Sequence, residues 1–169
     1  NKFLQTSVPH IYAVGDVIRS PVYESTRRDE GRMAAISAFG LKDTEQICEK
    51  YPVGIYSLPE VSFYGLTEEE VKAKQIPYVT GRAYYREIPY GRLSGYTHGF
   101  VKLIVHKESE EILGIHIIGR GAQEIIHFGM KLVEDHVRVS RLIGTIFNGA
   151  SMHELYPYAA IDAHHKMRG

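Results

Sequence analysis

The first 50 residues carry a pattern of apolar and polar positions that predicts a strand followed by a helix. Residues 8–14 form a near-continuous apolar run, which is typical of a short strand covered on both faces. The helix is predicted to have Ser20 as its N-cap, to begin with Pro21 and to end at Gly40. Its buried side is predicted to consist of small residues: Gly31, Ala34, Ala35 and Ala38.

A different pattern begins after Tyr51-Pro52, which we interpret as the boundary between domains 1–50 and 51–169. It starts at residues 53–61 and predicts strands at 78–88, 100–106 and 112–118, the last two joined by a polar hairpin loop. Helices are predicted at four places: after the capping box Thr67/Glu70, at 122–136, at 140–146, and from about 156–157 to the end. Strands followed by helices, without βαβ alternation, indicate an α+β domain.

Charge and composition narrow the class of partner. The formal net charge is zero with His neutral, and no basic run is longer than Arg27-Arg28, so neither nucleic acid nor a membrane surface is an expected partner. The apolar stretches are too short to span a bilayer. Cys48 is the single cysteine, which excludes an internal disulfide and favours a reducing, cytoplasmic location. The start at Asn1, without an initiator Met, is interpreted as that of a fragment.

Three stretches are candidates for chemistry. Gly15-Asp16 forms a tight turn that carries a carboxylate beside the start of a helix, an arrangement suited to a cofactor with hydroxyl groups. Gly119-Arg120-Gly121 resembles the start of a dinucleotide fingerprint, but Glu124 stands where the third glycine belongs, so we interpret it as a turn. His153-Glu154 is either a helix cap with Ser151 or a functional pair. No metal site is expected from the scattered histidines.

Several of these stretches together resemble one family. Residues 12–16 (Tyr-Ala-Val-Gly-Asp), followed by Pro21 and 30–35 (Glu-Gly-Arg-Met-Ala-Ala), resemble the second flavin-binding motif of the pyridine nucleotide–disulfide oxidoreductases. Residues 54–61, 112–116 and 122–126 resemble that family's C-terminal dimerisation domain. The resemblance implies a dimerisation domain with a central antiparallel sheet and helices, preceded by the last strand and helix of an α/β FAD-binding domain.

The resemblance also implies a cofactor site. Gly15, Asp16, Val17 and Glu24 are the residues expected to contact FAD, with Asp16 accepting a hydrogen bond from a ribityl hydroxyl. The helix N-terminus would face the flavin's pyrimidine edge, where negative charge collects on reduction. Glu24 stands where the family usually has a small residue. The implied protein is a homodimer that makes its contact through residues 100–118 and 122–136.

One departure from the family bears on the reaction. Disulfide reductases of the family carry a His-Pro-Thr-x-x-Glu motif, and the matching stretch here begins with Gly149 and keeps Glu154. Without that histidine a thiolate would lack its proton-transfer partner, whereas hydride transfer between NADPH and NAD through FAD needs none. Glu154 is the catalytic candidate, expected near the partner's flavin. The alternatives are a dihydrolipoyl-dehydrogenase-like disulfide reductase and, for this chain alone, a non-catalytic dimerisation module.

Overall fold

The computed structural model describes residues 1–18, 23–41 and 50–169, which divide into two compact units, Asn1–Tyr51 and Pro52–Gly169. Each unit is described by itself. The predicted helix start at Ser20 and Pro21 lies outside the described residues, as does Cys48.

The first unit contains a one-turn 3₁₀ helix, Gly15–Val17, and the helix α1, Glu24–Phe39. Gly40 ends α1 in the left-handed conformation, with φ of 59°, which confirms the predicted stop. A small core joins the turn region to α1 and consists of Leu4, Met33, Ala34 and Ile36, with Tyr12 and Val14 packed against it.

Two predictions for this unit differ from the structure. Residues 8–14 form no ladder among the described residues: Tyr12 makes one isolated bridge with Gln5, and Ile11 is 47% exposed. A strand needs neighbouring strands, and this unit supplies none in its described part. The buried side of α1 was predicted correctly at Ala34 and wrongly at Ala35 and Ala38, which are exposed. The side chains buried beside Ala34 are larger and include one acid: Thr26, Glu30, Met33 and Ile36.

The second unit is a five-stranded antiparallel sheet with helices, which confirms the predicted α+β fold. The strands are β1 (Val53–Ile55), β2 (Val61–Gly65), β3 (Tyr78–Tyr84), β4 (Gly99–His106) and β5 (Ile112–Gly119). Their order in the sheet is β1-β2-β5-β4-β3. The helices are α2 (Glu68–Ala73), α3 (Pro89–Ser94), α4 (Ala122–Glu134), α5 (Val139–Ile143) and α6 (Leu155–Arg168).

Helices α4 and α6 cover one face of the sheet, where α4 packs on β2 and β5 and α6 packs on β3 and β4. The residues that point into this core alternate along the strands: Ala83, Val101, Leu103, Val105, Ile115 and Ile117. On the other face, Tyr84, Phe100 and Ile118 lie side by side in the register and are half-buried. The sheet is therefore closed on one side and only partly covered on the other.

The ends of two elements follow from local hydrogen bonding. The predicted strand 78–88 stops at Tyr84, because the backbone N–H of Tyr84 donates to the Glu87 carboxylate (2.8 Å) and starts a 3₁₀ turn. Helix α6 begins at Leu155, within one residue of the prediction, and its third residue is Pro157, where no backbone donor is needed. The Thr67/Glu70 capping box of α2 is present as predicted.

Candidate functional site

The Gly15–Val17 turn presents its polar and apolar side chains outward. Gly15 is buried and has φ of 75°, a conformation that disfavours other residues, and its carbonyl accepts a hydrogen bond from the Ile18 N–H (3.1 Å). The Val17 side chain is 80% exposed, and that of Asp16 is 67% exposed. The turn thus offers a carboxylate and an isopropyl group, side by side, on a short rigid segment.

Helix α1 holds this turn through two charged side chains. The Glu30 carboxylate, which is fully buried, accepts the Gly15 backbone N–H at 2.7 Å. Arg27 makes a two-pronged ion pair with Asp16, Nε to Oδ1 at 3.1 Å and Nη2 to Oδ2 at 2.8 Å. Sequence analysis assigned no role to either side chain. Two signals marked Glu30: it opens the 30–35 stretch of the family resemblance, and it lies four residues from Thr26, on the side of the helix that is buried.

Glu24, the first residue of α1, does not direct its charge at the turn. Its carboxylate pairs with Arg28 at 2.7 Å along the helix surface, and both side chains are mostly exposed. The Glu24 carboxylate thus points along the helix towards Arg28. The backbone N–H of Glu24, at the helix N-terminus, is the group suited to a ligand.

The turn fits a cofactor that carries hydroxyl groups. A carboxylate has about four lone-pair positions, and Arg27 uses two of those on Asp16, so hydroxyl donors can still be accepted. The exposed Val17 side chain next to it can pack against an apolar ring or chain. Both features suit the ribityl chain and ring of a flavin.

The second candidate region, residues 149–154, is built as a helix cap. The Ser151 N–H donates to the Glu154 carboxylate at 3.2 Å, and the Glu154 N–H donates to the Ser151 carbonyl at 3.3 Å. This is the capping arrangement that was one of the two interpretations of His153-Glu154. Glu154 is half-buried and keeps free acceptor positions. Gly149 is exposed, and a Cβ added there would meet nothing within 4 Å.

His153 packs among aromatic rings. It stacks on Tyr156 at 6.2 Å between ring centroids and meets Phe128 edge-on at 5.8 Å. Burial lowers the pKa of His153, so its imidazole is favoured in the neutral form. Tyr156 is itself fully buried, and its hydroxyl donates to the Ile125 carbonyl. His153 therefore belongs to the packing of α4 against α6, and it does not replace the histidine absent at position 149.

Gly119-Arg120-Gly121 is a turn between β5 and α4. A Cβ added to Gly119 would lie 2.7 Å from the ring of Tyr85, whose hydroxyl donates to the Arg120 carbonyl (3.1 Å). The Tyr85 ring therefore fills the space beside Gly119, whereas Gly121 has open space beside it and serves as the N-cap of α4. The segment is a turn, as the sequence interpretation had it.

Within residues 1–18, 23–41 and 50–169 no three His, Cys, Asp or Glu side chains lie close enough together to hold a metal ion. The helices of the same ranges include none with the length and apolar character needed to cross a bilayer.

Comparison with known proteins defines the class. Residues 51–160, more than half of the 169-residue chain, match the dimerisation domain of the pyridine nucleotide-disulphide oxidoreductases. The chain belongs to this family. The resemblance found in the sequence is therefore confirmed, and with it the assignment of the five-stranded sheet to a dimerisation domain.

Within the family, curated relatives point to one kind of enzyme. The chain is 44% identical over 164 residues to the soluble pyridine nucleotide transhydrogenase of Mycobacterium bovis, a match that covers 97% of the chain and 35% of the relative. It is 39% identical over 165 residues to the protein of the same name from Citrobacter koseri, a match that covers 96% of this chain and 35% of the relative. The chain thus spans about a third of the length of these relatives.

Solved structures share the fold. LpdA from Mycobacterium tuberculosis has a TM-score of 0.79 at 21% identity, with 95% of this chain and 35% of that chain covered. The HOCl-induced flavoprotein disulfide reductase RclA from Escherichia coli has a TM-score of 0.84 at 23% identity, with 95% and 37% covered. At these identities the likeness concerns the fold.

Proposed function

We propose that this chain is the C-terminal part of an FAD-dependent oxidoreductase that transfers hydride between NADPH and NAD, acting in the cytoplasm as a homodimer. The observation that carries the proposal is the 44% identity, over 97% of the chain, with proteins named soluble pyridine nucleotide transhydrogenases. Gly149 supports it, because no histidine is available there to exchange a proton with a thiolate.

We propose that the Gly15–Val17 turn and the N-terminus of α1 hold the flavin. Asp16 accepts a hydrogen bond from a ribityl hydroxyl, a charge-assisted bond worth about 1.5–3 kcal/mol. Val17 packs against the cofactor, and the Glu24 backbone N–H faces its electron-rich edge, where a helix N-terminus favours negative charge by about 0.3–1 kcal/mol. When bound, FAD supplies the hydride chemistry; the chain contributes position and electrostatics.

Glu154 has a second proposed role, at the active site of the partner subunit. Its half-buried carboxylate is fixed by the Ser151 N–H and can accept one more donor. In this proposal it binds and orients a group near the partner's flavin. The Glu154→Gln variant keeps the shape of the side chain and removes its charge, so it tests whether the charge matters.

The reaction is tested with the full-length protein that carries this sequence. Under anaerobic conditions, purified enzyme is expected to reduce an NAD analogue at the expense of NADPH and to leave lipoamide and glutathione disulfide unreduced. The disulfide substrates separate the proposal from the dihydrolipoyl-dehydrogenase-like alternative. Rapid reduction of either disulfide, or a Cys-x-x-x-x-Cys motif upstream of Asn1 in the full-length protein, would favour that alternative.

The flavin contact is tested by a matched pair of neutralising substitutions in the same protein. Asp16→Asn is expected to raise the flavin dissociation constant by about tenfold or more, because the charge-assisted hydrogen bond becomes a neutral one. Asp29→Asn neutralises an acid that pairs with Arg32 on α1, and is expected to leave the constant unchanged. Equal behaviour of the two variants would remove Asp16 from the cofactor site.

Residues 1–169 alone are expected to be a non-catalytic dimerisation module. We propose that α4 and the half-covered face of the sheet form the dimer contact, since Phe100, Tyr84 and Ile118 lie there together. In sedimentation experiments at micromolar concentration the chain should be a dimer, without bound flavin. Ile118→Glu should shift it to monomer, whereas Leu93→Glu, which alters an exposed apolar residue of α3, should not. A wild-type monomer would contradict the assigned contact.

A further inference from the structure

The Gly15–Asp16 turn is held by a buried acid, the first residue of the 30–35 stretch. Glu30 lies in the middle of α1, is fully buried, and its carboxylate accepts the Gly15 N–H at 2.7 Å. A buried carboxylate is costly unless its hydrogen bonds are made. A carboxylate buried at this position therefore needs hydrogen-bond donors, and one of them, the Gly15 N–H, belongs to the turn that carries Asp16.

A second contact from the same helix acts one residue further along. The side-chain stem of Arg27 covers Gly15, since a Cβ built there would lie 3.6 Å from Arg27 Cγ, and its guanidinium pairs with both oxygens of Asp16. Glu30 and Arg27 are three residues apart and lie on neighbouring positions of the helix surface. Together they fix the backbone at Gly15 and the carboxylate at Asp16.

We propose that Glu30 is the positioning residue of the flavin site: by holding the Gly15 N–H it fixes the left-handed turn that aims the Asp16 carboxylate at the cofactor. This inference rests on the proposed flavin contact of Asp16. Glu30 itself touches no cofactor. Its effect on binding is transmitted through the hydrogen bond from the Gly15 N–H, and the Asp16–Arg27 ion pair supports the same turn.

The test compares three substitutions at one position in the full-length protein, prepared with and without FAD. Glu30→Gln keeps an acceptor oxygen at the same reach. Glu30→Asp keeps the charge but shortens the side chain by one methylene, and Glu30→Ala removes the acceptor. Asp29→Ala, on the neighbouring position of α1, is the control. Two quantities are measured: amide hydrogen exchange of the peptide that contains Gly15, and the flavin dissociation constant.

In the Glu30→Ala and Glu30→Asp variants, exchange of the Gly15 peptide is expected to accelerate by about tenfold or more in the flavin-free protein. The dissociation constant should rise by a similar factor, equivalent to about 1.4 kcal/mol per tenfold. Glu30→Gln and the control should stay within about threefold of wild type. If Glu30→Ala does not fold, Glu30→Asp and Glu30→Gln still give opposite expectations.

The possible failures are distinguishable. Unchanged exchange in Glu30→Asp and Glu30→Ala would overturn the positioning role, whatever the flavin does. If Glu30→Gln behaved like Glu30→Ala, the positioning role would also be overturned, because an acceptor oxygen at this position would then not be what holds the turn. A wild-type protein that binds no FAD would instead contradict the proposed function, and the exchange measurement would still decide whether Glu30 holds the turn.

Discussion

At the residue scale, His116 lies in surroundings that disfavour the protonated form of its imidazole. Its ring stacks on Phe63, and its Nε2 lies 3.1 Å from the Leu66 carbonyl oxygen. Burial lowers the pKa of His116, and Lys102 lowers it further, while the Leu66 carbonyl and the carboxylates of Glu68 and Glu70 act in the opposite direction without overcoming burial. The folded protein therefore favours the neutral ring at neutral pH.

This lowered pKa predicts a loss of stability on mild acidification. The unfolded chain, with an ordinary histidine pKa of about 6.5, binds a proton before the folded one does, so the free energy of unfolding falls as the pH drops below about 6.5. Chemical denaturation at pH 7.5 and 5.5 should show this fall, with a smaller fall in His116→Phe. His136→Phe, at an exposed histidine, is the control. If the free energy of unfolding fell as much in His116→Phe as in the wild type, the prediction would be contradicted.

At this scale, contacts between near neighbours in the sequence were predictable and distant ones were not. The Ser151–Glu154 and Thr67–Glu70 caps each link residues three apart, so residue type and spacing alone predict them. The Glu30–Gly15 hydrogen bond spans fifteen residues and depends on how α1 packs on the turn. A glutamate in a helix gives no sign of which backbone donor it will meet.

At the scale of elements, β3 and α6 pack very close to each other. Gly81 lies under α6, where an added Cβ would stand 2.0 Å from the Ala159 carbonyl oxygen and 2.7 Å from the Ala163 Cβ. Ala159, Ala160 and Ala163 give α6 a narrow buried side that matches this glycine. The helix can therefore rest almost directly on the strand backbone.

This close packing predicts that one methyl group added at Gly81 strongly lowers the free energy of unfolding. Gly81→Ala requires α6 to move away from β3 and should lower the free energy of unfolding by about 3 kcal/mol, at the upper end for overpacking of a core. Gly149→Ala adds the same methyl in open space and should change it by less than about 0.5 kcal/mol. Equal melting temperatures for the two variants in calorimetry would show that α6 is not held this closely.

The types of these elements were more predictable than their ends and buried sides. The hairpin strands, α4 and the start of α6 follow from apolar periodicity and from where Pro157 is tolerated. The end of β3 does not, because it is decided by Glu87 accepting the Tyr84 N–H, a contact that competes with strand continuation. The buried side of α1 was only partly predicted: of its small residues Ala34 is buried, whereas Ala35 and Ala38 are exposed.

For the whole molecule, the order of the sheet is the feature that sequence could not give. Neighbours in sequence predict the β4–β5 and β1–β2 pairs, but the insertion of β5 between β2 and β4 depends on long-range pairing. The family resemblance supplied the architecture where periodicity could not.

The strand order has a consequence for the route by which the second unit folds. The β4–β5 hairpin closes over residues 107–111, whereas β2 reaches β5 only after α2, β3, α3 and β4 have been passed. Loop closure over that distance costs more entropy, so the hairpin should form early and the β1–β2 pair should join late. In stopped-flow kinetics Leu103→Ala should mainly slow refolding and Val53→Ala should mainly accelerate unfolding. A chain arrested before the last step would expose the β2-facing edge of β5 as a free edge, the place where self-association during synthesis would begin.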